Sequence, residues 1–154
     1  MGSFCTISVS AASVLLMSMV AEASACGCAK DTAQVQFSNA DLVVKGRMKT
    51  VTFGIDLPTS EPDTLARSAR GEFEIEKVLK GTLPEKTISI YTGSGLGDCG
   101  RLGDFLTAAY YYRDEKFGVI ELGLTKGDFA GQAIYYTTIC DYAKTPRVDE
   151  ESKP

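Results

Sequence analysis

The chain has 154 residues, with 16 Lys and Arg against 20 Asp and Glu, and no histidine. Without histidine, Ser-His and Cys-His nucleophile pairs and His-ligated catalytic zinc are excluded. The mildly acidic balance and the lack of a long basic stripe argue against nucleic acid as a partner. The carboxylates are scattered, with no pair set up for acid–base work, so no enzyme is expected.

Residues 1–25 contain one charge, Glu22, an apolar run from Ala11 to Val20, and the small-residue site Ala23-Ser24-Ala25. This reads as a secretory signal peptide, too short and wrongly flanked to be a membrane span, although its start carries no Lys or Arg. Met1-Gly2-Ser3-Phe4-Cys5-Thr6 also fits an N-myristoylation pattern, but that reading leaves the apolar run and the Ala-x-Ala site unexplained. A lipoprotein acylated on Cys26 is the other rival, and the residues before Cys26 lack the usual leucine. Cleavage after Ala25 makes Cys26 the first mature residue and predicts a secreted protein, extracellular or periplasmic. Residues 26–154 have the length of one domain. Its folded part is set at 26–143, with 144–154 a charged, proline-bearing, flexible tail.

Ala29 to Asn39 can hold one short helix. Val44, Gly46, Met48 and Thr50 alternate with Lys45, Arg47 and Lys49, the period of a half-buried strand. Leu57 to Thr64, polar and proline-bearing, reads as a long loop. Phe73 and Ile75 alternate with Glu72, Glu74 and Glu76 in a second strand ending near Gly81. Ile88 and Ile90 alternate with Thr87 and Ser89 in a third, ending at Gly93. Phe105 to Tyr112, rich in aromatics, predicts a fourth; Phe117 to Leu122 and Ala133 to Ile139 complete the set. Five or six strands with glycine-rich turns predict an all-β sandwich or barrel with no second domain.

Once Cys5 leaves with the leader, Cys26, Cys28, Cys99 and Cys140 remain. An even number in an exported chain predicts two disulfides, for which four cysteines allow three pairings. Cys26 and Cys28 are too close to bridge comfortably, so each is expected to reach a distant partner. The same Cys26-Gly27-Cys28 could instead form a redox pair or half of a metal site. A structural zinc site needs a second close pair, and Cys99 and Cys140 lie far apart. A redox pair usually sits at a helix start that stabilises its thiolate.

Gly95-Leu96-Gly97-Asp98-Cys99-Gly100 matches G-x-G-x-x-G after a strand. A dinucleotide site needs a helix to begin there, whereas Arg101-Leu102-Gly103 is read as leading straight into the strand at Phe105. The tyrosines Tyr110 to Tyr112, with Tyr135 and Tyr136, are read as core and cross-strand packing.

Taken together, several segments resemble the inhibitory domain of the tissue inhibitors of metalloproteinases, within the netrin-like family. The mature start Cys26-Gly27-Cys28 resembles that family's opening Cys-x-Cys. Phe37-Ser38-Asn39-Ala40-Asp41 is similar to its Phe-Cys-Asn-Ala-Asp segment entering the first strand. Glu76-Lys77-Val78-Leu79-Lys80-Gly81, Cys99-Gly100 and Tyr136-Thr137-Thr138-Ile139-Cys140 resemble later landmarks, so the likeness spans nearly all of the mature chain.

The resemblance implies a five-stranded Greek-key barrel of the OB type with one or two short helices, stapled by Cys26–Cys99 and Cys28–Cys140. It implies that the free α-amine and carbonyl of Cys26 chelate the catalytic zinc of a target metalloendopeptidase and displace its attacking water. The amine must be neutral to bind, which its ordinary pKa of about 8 makes accessible. Gly27 would face the specificity pocket, Cys28, Ala29 and Lys30 would lie along the substrate cleft, and Gly97, Asp98 and Cys99 would form the neighbouring ridge. The partner is then a zinc metalloendopeptidase, the inhibitor a monomer with no cofactor of its own. Two residues depart from the family: Gly27 replaces its Thr or Ser, and Ser38 replaces a third cysteine; the cysteine-rich second domain of the vertebrate proteins is not expected. The alternative is a non-inhibitory extracellular netrin-like module that binds another protein.

Overall fold

A computed structural model describes residues 26–58, 64–95, 97–129 and 132–146. The predicted leader, residues 59–63 of the predicted loop, Leu96 and the tail from residue 147 lie outside the described residues.

The described chain runs α1 (Ala33–Asn39), β1 (Leu42–Pro58), β2 (Leu65–Lys80), β3 (Thr87–Gly93), α2 (Leu102–Tyr110), β4 (Val119–Phe129), β5 (Gln132–Tyr136) and β6 (Ala143–Lys144). The sheet order is β1-β2-β3-β5-β4, and β4 also pairs with β1, so five strands close into a ring. Every pair in the ring is antiparallel except β3 with β5, which is parallel. β6 adds two residues to the outside of β4, setting Ala143 opposite Leu122 and Lys144 opposite Glu121. Lys144, assigned to the tail on sequence, therefore belongs to a strand.

The alternation read from the sequence fills the ring. Val44, Met48, Phe73, Ile88, Ile90, Ile120, Leu122 and Leu124 point into one buried cluster. β1 and β2 are far longer than their predicted segments because their pairing continues outward to Pro58 opposite Leu65. Four register shifts along this pair break the alternation that would have marked it. One lies at Lys45/Gly46, where β1 pairs with β2 and β4 at once. A Cβ on Gly46 would lie 2.0 Å from the Glu74 carbonyl oxygen, so only glycine fits there.

The predicted strand at Phe105 to Tyr112 is instead helix α2 and the turn that follows it. Phe105 and Ala108 are its buried residues, a spacing of three that matches a helix face rather than a pleat. Phe105 is completely buried in the ring's core. The tyrosines are corrected with it. Tyr110 is 82% exposed at the end of α2, and Tyr136 is 40% exposed; of the five, Tyr135 packs on the core.

The segments Phe37–Asp41 and Glu76–Gly81 meet at the end of α1. Thr32 caps its start, accepting from the Val35 N–H. The Lys80 ammonium donates to the carbonyls of Phe37, Ser38 and Ala40 at 3.4, 2.6 and 2.5 Å. A cation satisfying the last carbonyls of a helix is favoured by both charge and hydrogen bonding. Lys80 thus joins the end of β2 to the C-terminal end of α1.

Candidate functional site

Two disulfides tie the N-terminal edge to later loops of the chain: Cys26 to Cys99 with Cα atoms 5.3 Å apart, and Cys28 to Cys140 at 5.1 Å. All four cysteines are therefore oxidised, and Cys26 and Cys28 are not joined to each other. The Cys28 N–H donates back to the Cys26 carbonyl at 3.1 Å, closing a tight turn over Gly27. Gly27, Ala29 and Lys30 are exposed, as are Gly97 and Asp98 beside Cys99, while Cys26, Cys28 and Cys99 are half-buried. The bridges thus bring all eight residues singled out on sequence to one edge of the molecule.

The loop carrying Cys99 is built around Asp98. Its Oδ2 accepts from the Ser94 N–H and hydroxyl at 2.6 and 2.8 Å. Its Oδ1 accepts from the N–H groups of Gly95 and Gly100 at 2.6 and 3.0 Å. Partial burial pushes the Asp98 pKa up, but the Ser94 hydroxyl and the three backbone N–H groups outweigh it, so the carboxyl sits below the ordinary value. A Cβ on Gly100 would lie 1.9 Å from the Gly93 carbonyl oxygen, so the two ends of the loop touch backbone to backbone. Cys99 itself takes a left-handed φ of 58°, which turns its sulfur toward Cys26.

This geometry corrects one step of the G-x-G-x-x-G reading. A helix does start after the loop, at Leu102. The N–H groups that would face a phosphate already donate to Asp98, and the strand after α2 does not pair with β3. The loop binds its own carboxylate.

A carboxylate held below its unfolded pKa contributes stability that is fully present above that value and lost as pH falls through the folded one. Asp98→Asn should therefore destabilise the protein by a constant amount above about pH 5, and the gap to the parent should close below about pH 4. Denaturant midpoints of both proteins from pH 2 to 7 check this. A gap that stays constant to the acid limit would show that Asp98 carries no such charge-dependent role.

Sequence reading missed the residues behind the edge. Arg101 is 8% exposed; its guanidinium donates to the carbonyls of Thr138 and Asp141 and to the Asp104 carboxylate. Its own N–H donates to the Thr92 hydroxyl, which donates to the Thr137 carbonyl at 2.8 Å. No periodicity announces a buried arginine of this kind. Its place directly after Cys99-Gly100 was the one available signal.

Among the described residues, no group of three or more His, Cys, Asp or Glu side chains could hold a metal ion. None of their helices is long and apolar enough to cross a membrane. No family model matches the sequence, and no curated protein matches it.

Proposed function

We propose that the protein is a secreted inhibitor of a zinc metalloendopeptidase, acting through the amine and carbonyl of a mature N-terminal Cys26. The observation that carries this reading is the edge itself. Cys26-Gly27-Cys28 is strapped down at both cysteines, beside the exposed Gly97 and Asp98. A preorganised edge loses little freedom on binding, so more of its contact energy appears as affinity. The ring order, with β3 and β5 as its one parallel pair, supports the OB-type Greek-key barrel that the family resemblance implies. Two disulfides support an oxidising compartment.

The first test is the intact mass of the exported protein with and without reduction, followed by a screen against zinc metalloendopeptidases. A mass for residues 26–154 that gains four hydrogens on reduction, with inhibition of at least one protease, is expected. A retained leader or an acyl group on Cys26 would remove the free amine and with it the mechanism.

Gly27 favours a second reading, the non-inhibitory binding module, because it offers no side chain to a specificity pocket. It is also open to test. A Cβ at Gly27 meets nothing within 4 Å, and its φ lies outside the left-handed region. Gly27→Thr should fold normally and, by burying its added atoms in the pocket, tighten inhibition about 5- to 30-fold, or about 1–2 kcal/mol. Inhibition constants for the two proteins decide. Unchanged or weaker inhibition would mean that residue 27 does not enter the pocket.

A further inference from the structure

We propose that Arg101 is the positioning residue of the inhibitory edge, locking the loop that holds Cys26 to the loop that holds Cys28. This rests on the inhibitor reading above.

The two bridges alone do not fix the edge, because each ends on a loop. Cys99 sits between Asp98 and Gly100, and Cys140 lies in the turn after β5. Arg101 spans them. It follows Cys99 by two residues, and its fork reaches the carbonyls of Thr138 and Asp141, which flank Cys140 on either side. The Asp141 carboxylate in turn accepts from the Thr138 N–H and hydroxyl, so the carbonyls that Arg101 grips belong to an already closed turn. One direct backbone bond joins the same two loops, from the Ile139 N–H to the Cys99 carbonyl at 2.9 Å.

Arg101 therefore acts at a distance from any protease, through Cys99 and Cys140, on how firmly the Cys26–Cys28 turn is held against the rest of the fold. A planar guanidinium with several donors in fixed directions suits this task; an ammonium is a single point with no fork. Asp104 is a bystander by comparison. Its carboxylate is 42% exposed and meets one guanidinium nitrogen.

The test uses the exported full chain with Arg101→Lys, Arg101→Met and Asp104→Ala. Inhibition constants are measured together with amide hydrogen exchange. Both Arg101 variants should inhibit about tenfold or more weakly, with Met the worse. Exchange should rise selectively at Ile139 while the core amides of Ile90 and Leu122 stay protected. Asp104→Ala should stay within about twofold of the parent in inhibition, because it leaves the guanidinium's bonds to the Thr138 and Asp141 carbonyls in place.

Exchange that rises equally at Ile139, Ile90 and Leu122 would overturn the proposal, because Arg101 would then serve global stability. Unchanged inhibition and unchanged Ile139 protection in Arg101→Lys and Arg101→Met would overturn it too. If the parent inhibits no metalloendopeptidase, the inhibitor reading fails by itself. Selective loosening at Ile139 would still support the clamp, and uniform loosening would still overturn it. If Arg101→Met does not fold, Arg101→Lys carries both readouts.

Discussion

In the proposed inhibitor, a single alanine placed ahead of Cys26 is expected to abolish inhibition of a metalloendopeptidase while leaving the ring of strands folded. The chelating amine becomes a peptide nitrogen whose lone pair is delocalised into the adjacent carbonyl. One of two proposed ligands to the target's zinc is lost, and the added residue projects toward the metal. Metal ligation contributes several kcal/mol, so a loss of about a thousandfold, or about 4 kcal/mol, is expected. Acetylating the amine without adding a residue should do the same, because it removes the same lone pair. Inhibition constants for the mature, extended and acetylated forms, alongside their denaturation midpoints, make the comparison.

The extension should leave the fold intact. The added residue hangs from the Cys26 nitrogen, and turning about the bond from that nitrogen to Cα moves nothing in the folded chain. The denaturation midpoint should therefore correspond to a stability within about 0.5 kcal/mol of the mature form's, so lost inhibition could not be blamed on misfolding. An extended protein that inhibits as well as the mature one would end the chelation reading. If such a protein still binds an extracellular partner, the binding-module reading gains what the inhibitor reading loses.

How far the sequence disclosed this molecule depended on the kind of signal each residue carried. β3 is legible end to end because Ile88 and Ile90 alternate without interruption against Thr87 and Ser89. β1 and β2 are legible only where they enter the ring. Further out, register shifts such as the one at Phe53/Ile55 scramble the period while the pairing continues. Helix α2 reads as a strand on sequence because Phe105 and Tyr110 to Tyr112 favour strands as residue types. The burial of Phe105 and Ala108, three apart, is what a helical reading would have had to weigh more heavily. At the candidate site, the cysteines are visible as letters, whereas the expected edge residues around them come from what the family resemblance implies. Arg101 and Thr92 are not visible, because their role lies in which backbone carbonyls they meet, and those carbonyls belong to segments some 40 residues away in the chain.

Removing either disulfide alone is expected to cost nearly the same stability, although the bridges span 73 and 112 residues. When one bridge stays, the shortest path that the other closes runs between the paired cysteines at one end and from Cys99 to Cys140 at the other. That path is roughly 40 residues whichever bridge is removed, and loop-closure entropy assigns it about 4 kcal/mol. Guanidinium unfolding of Cys28→Ser/Cys140→Ser and of Cys26→Ser/Cys99→Ser tests the equality. A difference above about 1 kcal/mol would mean that native contacts, such as Gln36 to the Cys140 carbonyl, outweigh chain entropy. Inhibition should separate the two variants where stability does not. The first keeps Cys26 tied to Cys99 and loosens only the far end of the edge. The second keeps an amine and a carbonyl at residue 26 but leaves them on an untethered terminus, so it should be the poorer inhibitor. Equal stability with unequal inhibition would locate the function in where Cys26 is held, separately from how firmly the whole domain is.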